Sequence, residues 1–404
     1  MNETGEKRST RVYKMMPRSE LLAIDVWRTP AARPSDTGRG NSAPDRTRAR
    51  CEHAEMQKAT HGQTNVSADR AVRVTDAYQQ DFFCCSAARG SWKREARVHK
   101  NGTVVARLPY VIYHKGLQLF GGCLPWAHLS ELTVDPSLDQ TAKAIVLRQL
   151  LDQLPRWVYL RFSFDSRNDD RLLLRSFKDA GFLCFLEKAY WTTPNDPDVM
   201  DPTNKHGMAK KRRDSIKCAA RKVTIVNDVT VGDFVKFYGK NLKEQGKIWY
   251  DDPFILRDIL ASGIKASVVG NSESKCIEIY AAKTNRDYGA VKQGTAVAMA
   301  ACLFDSRRCY YWLSSRLPIS GFSDTIETLI LHAARQAKER GVIFDADRLD
   351  TEGRLKLFER LKFPHSGYRN VFVRSNHDSL YYRLGKPIQH LLLRYRVTPS
   401  TAAE

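Results

Sequence analysis

Hydrophobic and polar positions along the chain change period several times, and each change marks an element. From Trp92 to Arg107 apolar and polar residues alternate on either side of Asn101-Gly102, a pair that accepts the positive φ angles of a tight type I′ turn. A β-hairpin is therefore expected there, with residues 107–113 and 117–120 continuing the sheet. Helical spacing takes over at 139–154, followed by a buried strand at 157–164, a helix at 169–180 and a strand at 182–190. The same order returns about 180 residues later: a helix at 324–340, a strand at 342–345, a helix at 352–361 and a strand running towards Val373. Both short strands end in Phe-Asp, at Phe164-Asp165 and Phe344-Asp345. Phe177-Lys-Asp-Ala-Gly-Phe182 answers Phe358-Glu-Arg-Leu-Lys-Phe363. Two related α/β units follow from this repetition.

Between the copies, residues 193–204 are dense in Pro, Asp and Asn and predict a linker. Residues 205–222 then carry eight Lys or Arg against the single Asp214, and the spacing of Ile216, Ala219 and Ala220 predicts a short basic helix. Lys210, Arg213, Lys217 and Arg221 recur about one turn apart on it, a face that could clamp phosphates or merely be solvated. Helices are expected at 231–245 and 252–262, and strands at 264–269, 277–283, 296–304 and 309–314. The loop Arg316-Leu-Pro-Ile-Ser320-Gly321 leads into the helix at Asp324.

At 404 residues the chain is long enough for two domains, each with its own core. Residues 29–50 lack large apolar side chains and are rich in Pro, Gly, Ser and Arg, so 1–70 are expected to be a disordered or weakly ordered extension. The domains fall at 71–195 and 205–395. A formal net charge of +20 and a pI near 9.6 favour polyanionic partners: nucleotide phosphates, nucleic acid or an anionic membrane surface. The nine cysteines show no paired CxxC spacing, which fits buried, reduced thiols and no structural metal. With no apolar run of membrane-spanning length and no secretory signal pattern, a cytoplasmic protein is expected.

Candidate chemistry concentrates in the second copy. A strand, a polar Gly-containing loop and a helix start point backbone N–H groups and a helix dipole at one spot, a place for a pyrophosphate near Arg316, Ser320, Gly321 and Ser323. An ordinary N-cap by Ser323 or Asp324 explains the same loop. Neither GxxxxGK nor GxGxxG occurs, which argues against kinase or nicotinamide chemistry. Asp345 and Asp347 end a central strand beside this loop and are candidates for proton handling; capping the next helix or pairing with Arg348 are the structural alternatives. In the aromatic strand, Tyr310 and Trp312 share one side and Tyr311 the other, with two expected in the core and one in a substrate groove. Arg316 could hold a phosphate or extend into solvent. Tyr368 could bond a substrate or close the core.

This order of elements resembles the GNAT acyltransferase fold. The doubled arrangement, with the basic stretch Arg213-Asp-Ser-Ile216-Lys-Cys-Ala219 opening the second copy, is similar to the FemAB-like group over residues 71–393. Val105-Ala-Arg-Leu-Pro-Tyr110 with the Gly-rich segment after it, and Gly341-Val-Ile-Phe-Asp345, carry the likeness. The resemblance implies a mixed α/β (α+β) fold of two tandem GNAT-like domains, each a mostly antiparallel sheet flanked by helices. It implies a bacterial-type acyltransferase moving an acyl group, from acyl-CoA (acetyl-CoA) without a metal, to an amine or hydroxyl of an anionic cell-envelope acceptor, as in peptidoglycan or polysaccharide biosynthesis. An aminoacyl-tRNA dependent enzyme acting on peptidoglycan, peripheral to the inner membrane, is the alternative within the group. A nucleic-acid-binding protein using 205–222 is the alternative outside it. Asp345, Asp347 and Tyr310 would be catalytic; Arg213, Lys217, Trp312 and Tyr368 would meet the acceptor. The donor is expected on the second domain, because the first copy has Leu132-Thr-Val-Asp-Pro136 in place of the glycine loop.

Overall fold

The computed structural model describes residues 77–115, 118–165, 171–244, 253–268, 271–349 and 351–375. The expected extension at 1–70, the start of the first domain and the end of the second lie outside them.

A 3-10 turn (Ala77–Gln79) and α1 (Asp81–Ala87) open the described chain. The hairpin follows as β1 (Trp92–Lys100) and β2 (Thr103–Lys115), with Asn101 and Gly102 both at positive φ, 52° and 77°, as the dipeptide requires. Next come β3 (Gln118–Gly122), a two-residue β4 (Thr133–Val134) and α2 (Gln140–Asp152), whose first turn is capped by the Asp139 carboxylate accepting from Ala142 N at 2.7 Å. The first copy ends with β5 (Tyr159–Asp165), α3 (Arg171–Asp179) and β6 (Leu183–Thr192).

The basic helix is α4 (Lys210–Ala220), followed by β7 (Val223–Val226), α5 (Val231–Glu244) and α6 (Pro253–Lys265). Residues 264 and 265, expected to begin a strand, instead complete α6, leaving only β8 (Ser267–Val268) and its partner β9 (Asn271–Lys275). Tertiary packing overrides the local pattern here. Gly263 lets α6 press on the sheet, where a Cβ would lie 2.4 Å from Ile277 Cδ1 and 2.8 Å from Phe82 Cε2. Then come β10 (Ile277–Thr284), β11 (Ala296–Phe304), β12 (Arg308–Arg316), α7 (Thr325–Glu339), β13 (Ile343–Asp345), α8 (Glu352–Leu361) and β14 (His365–Arg374).

Both copies join one sheet, ordered β1-β2-β3-β5-β14-β6-β13-β12-β11-β10-β7 with β4 paired to β2. It is antiparallel except at β3·β5 and β12·β13, the equivalent pairs bridged by the equivalent helices α2 and α7. The last strands are exchanged: β14 of the second copy sits between β5 and β6 of the first, while β6 pairs with β13 of the second. Phe372 on β14 accordingly packs with Phe162, Phe164 and Phe177 in the first core. The exchange runs the other way too. Tyr78, Phe83 and Leu129 belong to the second-copy core under α5 and α6, opposite the cluster beneath α7 and α8. The two halves thus share cores as well as a sheet.

Candidate active site

The parallel pairing of β12 with β13 covers only Arg308↔Ile343, Cys309↔Phe344 and Tyr310↔Asp345, although β12 runs on to Arg316. Beyond Tyr310 no described strand pairs with β12 on that side, so the sheet opens into a seam. At the same point the register with β11 shifts, Cys302 facing Tyr311 and Ala301 facing Leu313, which leaves Trp312 as the extra residue of a bulge. Trp312 and Leu313 therefore pack with Tyr310 on the α5 side, while Cys309 and Tyr311 face the α7 side. A bulged edge with unpaired peptide groups can donate N–H bonds to a carbonyl oxygen entering the seam.

The equivalent seam of the first copy is filled. After β3, Cys123 N donates to Arg161 O at 3.1 Å and Ser130 N to Ser163 O at 2.7 Å, so residues 123–130 occupy the edge of β5. Gly122 starts this segment at φ 115°, against the backbone of Arg161, where a Cβ would sit 1.9 Å from the carbonyl oxygen. The same segment crosses to the open seam: Trp126 O accepts from Trp312 Nε1 at 2.9 Å.

A buried ionic cluster lies at this crossing. Arg369 of β14, 1% exposed, donates to Asp345 Oδ1 at 2.8 Å and to Asp347 Oδ1 at 2.9 Å. Arg308 reaches Asp165 at 2.6 Å and lies 3.8 Å from Asp345. Asp347 Oδ2 accepts from the Tyr78 hydroxyl and meets His128 Nδ1, each at 2.5 Å. Burial opposes ionisation of Asp347, but the charge and hydrogen bond of His128, then Arg369 and Tyr78, outweigh it and bring its pKa to about 2. The Tyr78 ring also lies 5.4 Å from Tyr310 and 5.7 Å from His128.

These contacts relocate several expected roles. Asp345 and Asp347 do end the strand beside the seam, but both are fully buried and held by Arg369, and Thr351 rather than either carboxylate caps α8. Tyr310, Tyr311 and Trp312 are all buried, so none of the three offers the groove residue expected of that strand. Tyr368 is half-exposed on β14. On α4, Arg213 donates to Met208 O and Lys217 is exposed. In the loop before α7, Ser320, Gly321 and Ser323 are exposed, Arg316 Nη1 reaches Ser323 O at 3.5 Å, and Lys222 Nζ donates to Gly321 O at 3.0 Å. Two cations thus flank the loop. The helix start itself is acidic: Asp324 and Glu327 bind Arg212, and Ser215 donates to Asp324, docking α4 on α7. Thr325 Oγ1 and Glu327 Oε2 are buried there without a hydrogen-bond partner among the described residues.

His128 and Arg369 were not among the residues expected at the site. Arg369 had a signal, a charge on the same strand face as the buried Val371; His128, one polar residue in an irregular segment, had none. Burial raises the thiols of Cys84, to about 12, of Cys276, to about 11, and of Cys309, which makes them poor nucleophiles. Among the described residues no group of His, Cys, Asp and Glu could hold a metal ion, and no helix is long and apolar enough to cross a membrane.

No family profile and no curated protein matches the sequence. Among solved structures the chain is similar to that of FemX, at 12% identity and a TM-score of 0.49, over 77% of this chain and 94% of that one. It is also similar to a tandem GNAT protein from the clavulanic acid biosynthesis pathway, at 10% identity and 0.44 over 74% and 88%. The structure of L-PGS from Bacillus licheniformis is similar at 12% identity and 0.41 over 74% and 88%.

Proposed function

We propose that the protein is an acyltransferase that holds an activated acyl donor at the β12/β13 seam and passes the acyl group to an amine or hydroxyl of an anionic acceptor. The observation that carries this reading is the divergence of β12 from β13, the parallel pair whose edge is left open among the described strands, with the Trp312 bulge at its mouth. There, free backbone N–H groups polarise a thioester or ester carbonyl, and catalysis by positioning needs no covalent nucleophile. Raised thiol pKa values fit that absence. Arg316 and Lys222 beside the loop before α7 supply charge for the phosphates of an acyl-CoA. The exposed Lys210 and Lys217 of α4, and Arg221 just after it, suit the acceptor's negative charge.

Thermal unfolding with CoA, acetyl-CoA, longer acyl-CoA esters, nucleotide sugars and transfer RNA tests the donor, since a ligand at 100 times its Kd stabilises by about 2.7 kcal/mol. A rise in Tm with CoA species and with neither nucleotide sugars nor transfer RNA is expected. No shift with any CoA species removes the CoA donor, and a shift with transfer RNA alone replaces it by an aminoacyl ester.

A further inference from the structure

We infer that His128 is the general base of this transfer, its Nε2 taking the proton of the acceptor nucleophile, an assignment that rests on the acyl-transfer reading above. Asp347 is fully buried and accepts from Arg369 and Tyr78, the bonding of a carboxylate, which can only accept; the His128 Nδ1 facing it must therefore carry a hydrogen. In the neutral ring that leaves Nε2 with a free lone pair, and no described residue hydrogen-bonds to it. His128 keeps 10% of its side chain exposed while Asp347 keeps none, so the ring is the one member of the pair that a ligand can reach.

Location supports the same role. Trp126, two residues before His128, accepts from the indole of the bulge residue Trp312, and Tyr78 packs against both the His128 ring and Tyr310, the last residue of β12 paired with β13. The imidazole is thus fixed beside the seam, on the face opposite the α7 loop expected to hold the donor. Trp126 and Asp347 are two of only four described non-glycine residues at positive φ, 68° and 58°; the others are the hairpin Asn101 and the helix-ending Lys362. The two segments that bring histidine and aspartate together are each held in an unfavourable backbone conformation, as expected where a side chain must be aimed.

In the step itself the acceptor N or O forms a bond to the carbonyl carbon of the thioester, and the C–S bond breaks. The acceptor's proton passes to Nε2, and the resulting imidazolium, opposite Asp347, returns it to the departing thiolate. No oxidant or metal is needed. The charged or titratable groups in contact with the ring are Asp347, on the segment after β13, and Tyr78, on the 3-10 turn; Arg369 on β14 and Tyr310 on β12 lie behind these two, with Asp345 and Arg308 further back.

The test uses full-length protein, the acyl-CoA ester that raises Tm most, a panel of amine and hydroxyl acceptors, and release of free CoA thiol as readout. His128→Gln should lower kcat about 10²–10⁴-fold, remove the acid limb of the pH–rate profile and leave the CoA-induced Tm shift intact. Asp347→Asn, which keeps the imidazole but removes the carboxylate that orients it, should lower kcat less than His128→Gln does. Diethyl pyrocarbonate should modify His128 in the free protein and be slowed by a bound acyl-CoA. An unaltered profile with kcat within threefold of wild type overturns the assignment while leaving the acyltransferase standing, as does His128 that stays equally reactive under saturating acyl-CoA. A wild type that no CoA ester stabilises removes the donor reading and the assignment with it.

Discussion

Replacing Arg369 with methionine removes a guanidinium that is 1% exposed and bonds two carboxylates that are not exposed at all. At an effective dielectric near 20 and charge separations of about 4 Å, each pairing is worth about 4 kcal/mol before desolvation is counted. Losing the arginine also relieves its own desolvation, and part of the pairing survives, since Asp345 keeps Arg308 at 3.8 Å and Asp347 keeps His128 at 2.5 Å. Breaking a buried pair by removing one partner costs about 3–5 kcal/mol in comparable settings, and that is the loss expected here. It is a large fraction of the roughly 5–15 kcal/mol that holds a domain together. Urea denaturation at pH 7, followed by tryptophan fluorescence, should show the midpoint falling with an unchanged slope. Adding Asp345→Asn and Asp347→Asn to Arg369→Met discharges the stranded carboxylates and should recover more than half of the loss. A single variant that loses less than about 1 kcal/mol, or a triple variant no more stable than the single, refutes the claim that uncompensated buried charge is what the arginine prevents.

Other perturbations follow from the same contacts. Asp347 has a folded pKa of about 2, below its ordinary value of 3.8, so its contribution of about 2 kcal/mol is complete above pH 5 and disappears as pH falls through 2; acid titrations of wild type and Asp347→Asn should converge there. Gly263→Val forces a side chain into Ile277 and Phe82 and should cost about 1–3 kcal/mol of overpacking, read in Tm. Iodoacetamide at pH 8 should label the exposed Cys85 and Cys218 ahead of the buried Cys276, Cys302 and Cys309, with the order resolved by peptide mass spectrometry.

Legibility in the sequence tracked how local each cause was. The turn at Asn101-Gly102, the helix that begins after Asp139 and the apolar strand at 296–304 are set by neighbours in the chain, and the structure places all three where the sequence implies. The repeat also survives in detail, since α2 and α7 each cross between parallel strands. Strand exchange was invisible because β14 is buried on both faces over 369–372, and such a strand reads the same whichever half it joins. Site assignments suffered most. Asp345 and Asp347 stand at the seam, but both are held by Arg369, more than twenty residues further on, and Asp347 is also met by His128, more than two hundred residues back. Periodicity reports a face, and no period encodes which distant face covers it.

The repeat supplies one further argument, at the ends of its equivalent helices. Phe177 and Phe182 pack at 5.0 Å, Phe358 and Phe363 at 5.7 Å, and the residue before each second phenylalanine is left-handed: Gly181 at φ 83° and Lys362 at φ 56°. Both chains must reverse there to return a phenylalanine to its own helix, so the conformation is imposed by the core. Only one copy has the residue that adopts it without penalty. A left-handed non-glycine residue costs roughly 1–2 kcal/mol, from which the greater unfolded-state freedom of glycine takes back about half to one. Lys362→Gly should therefore raise stability by up to about 1 kcal/mol, and Gly181→Lys should lower it by a similar amount. Opposite signs at equivalent positions, measured by urea denaturation, would tie the effect to backbone conformation; a loss of stability in both would place it in the lysine side chain instead.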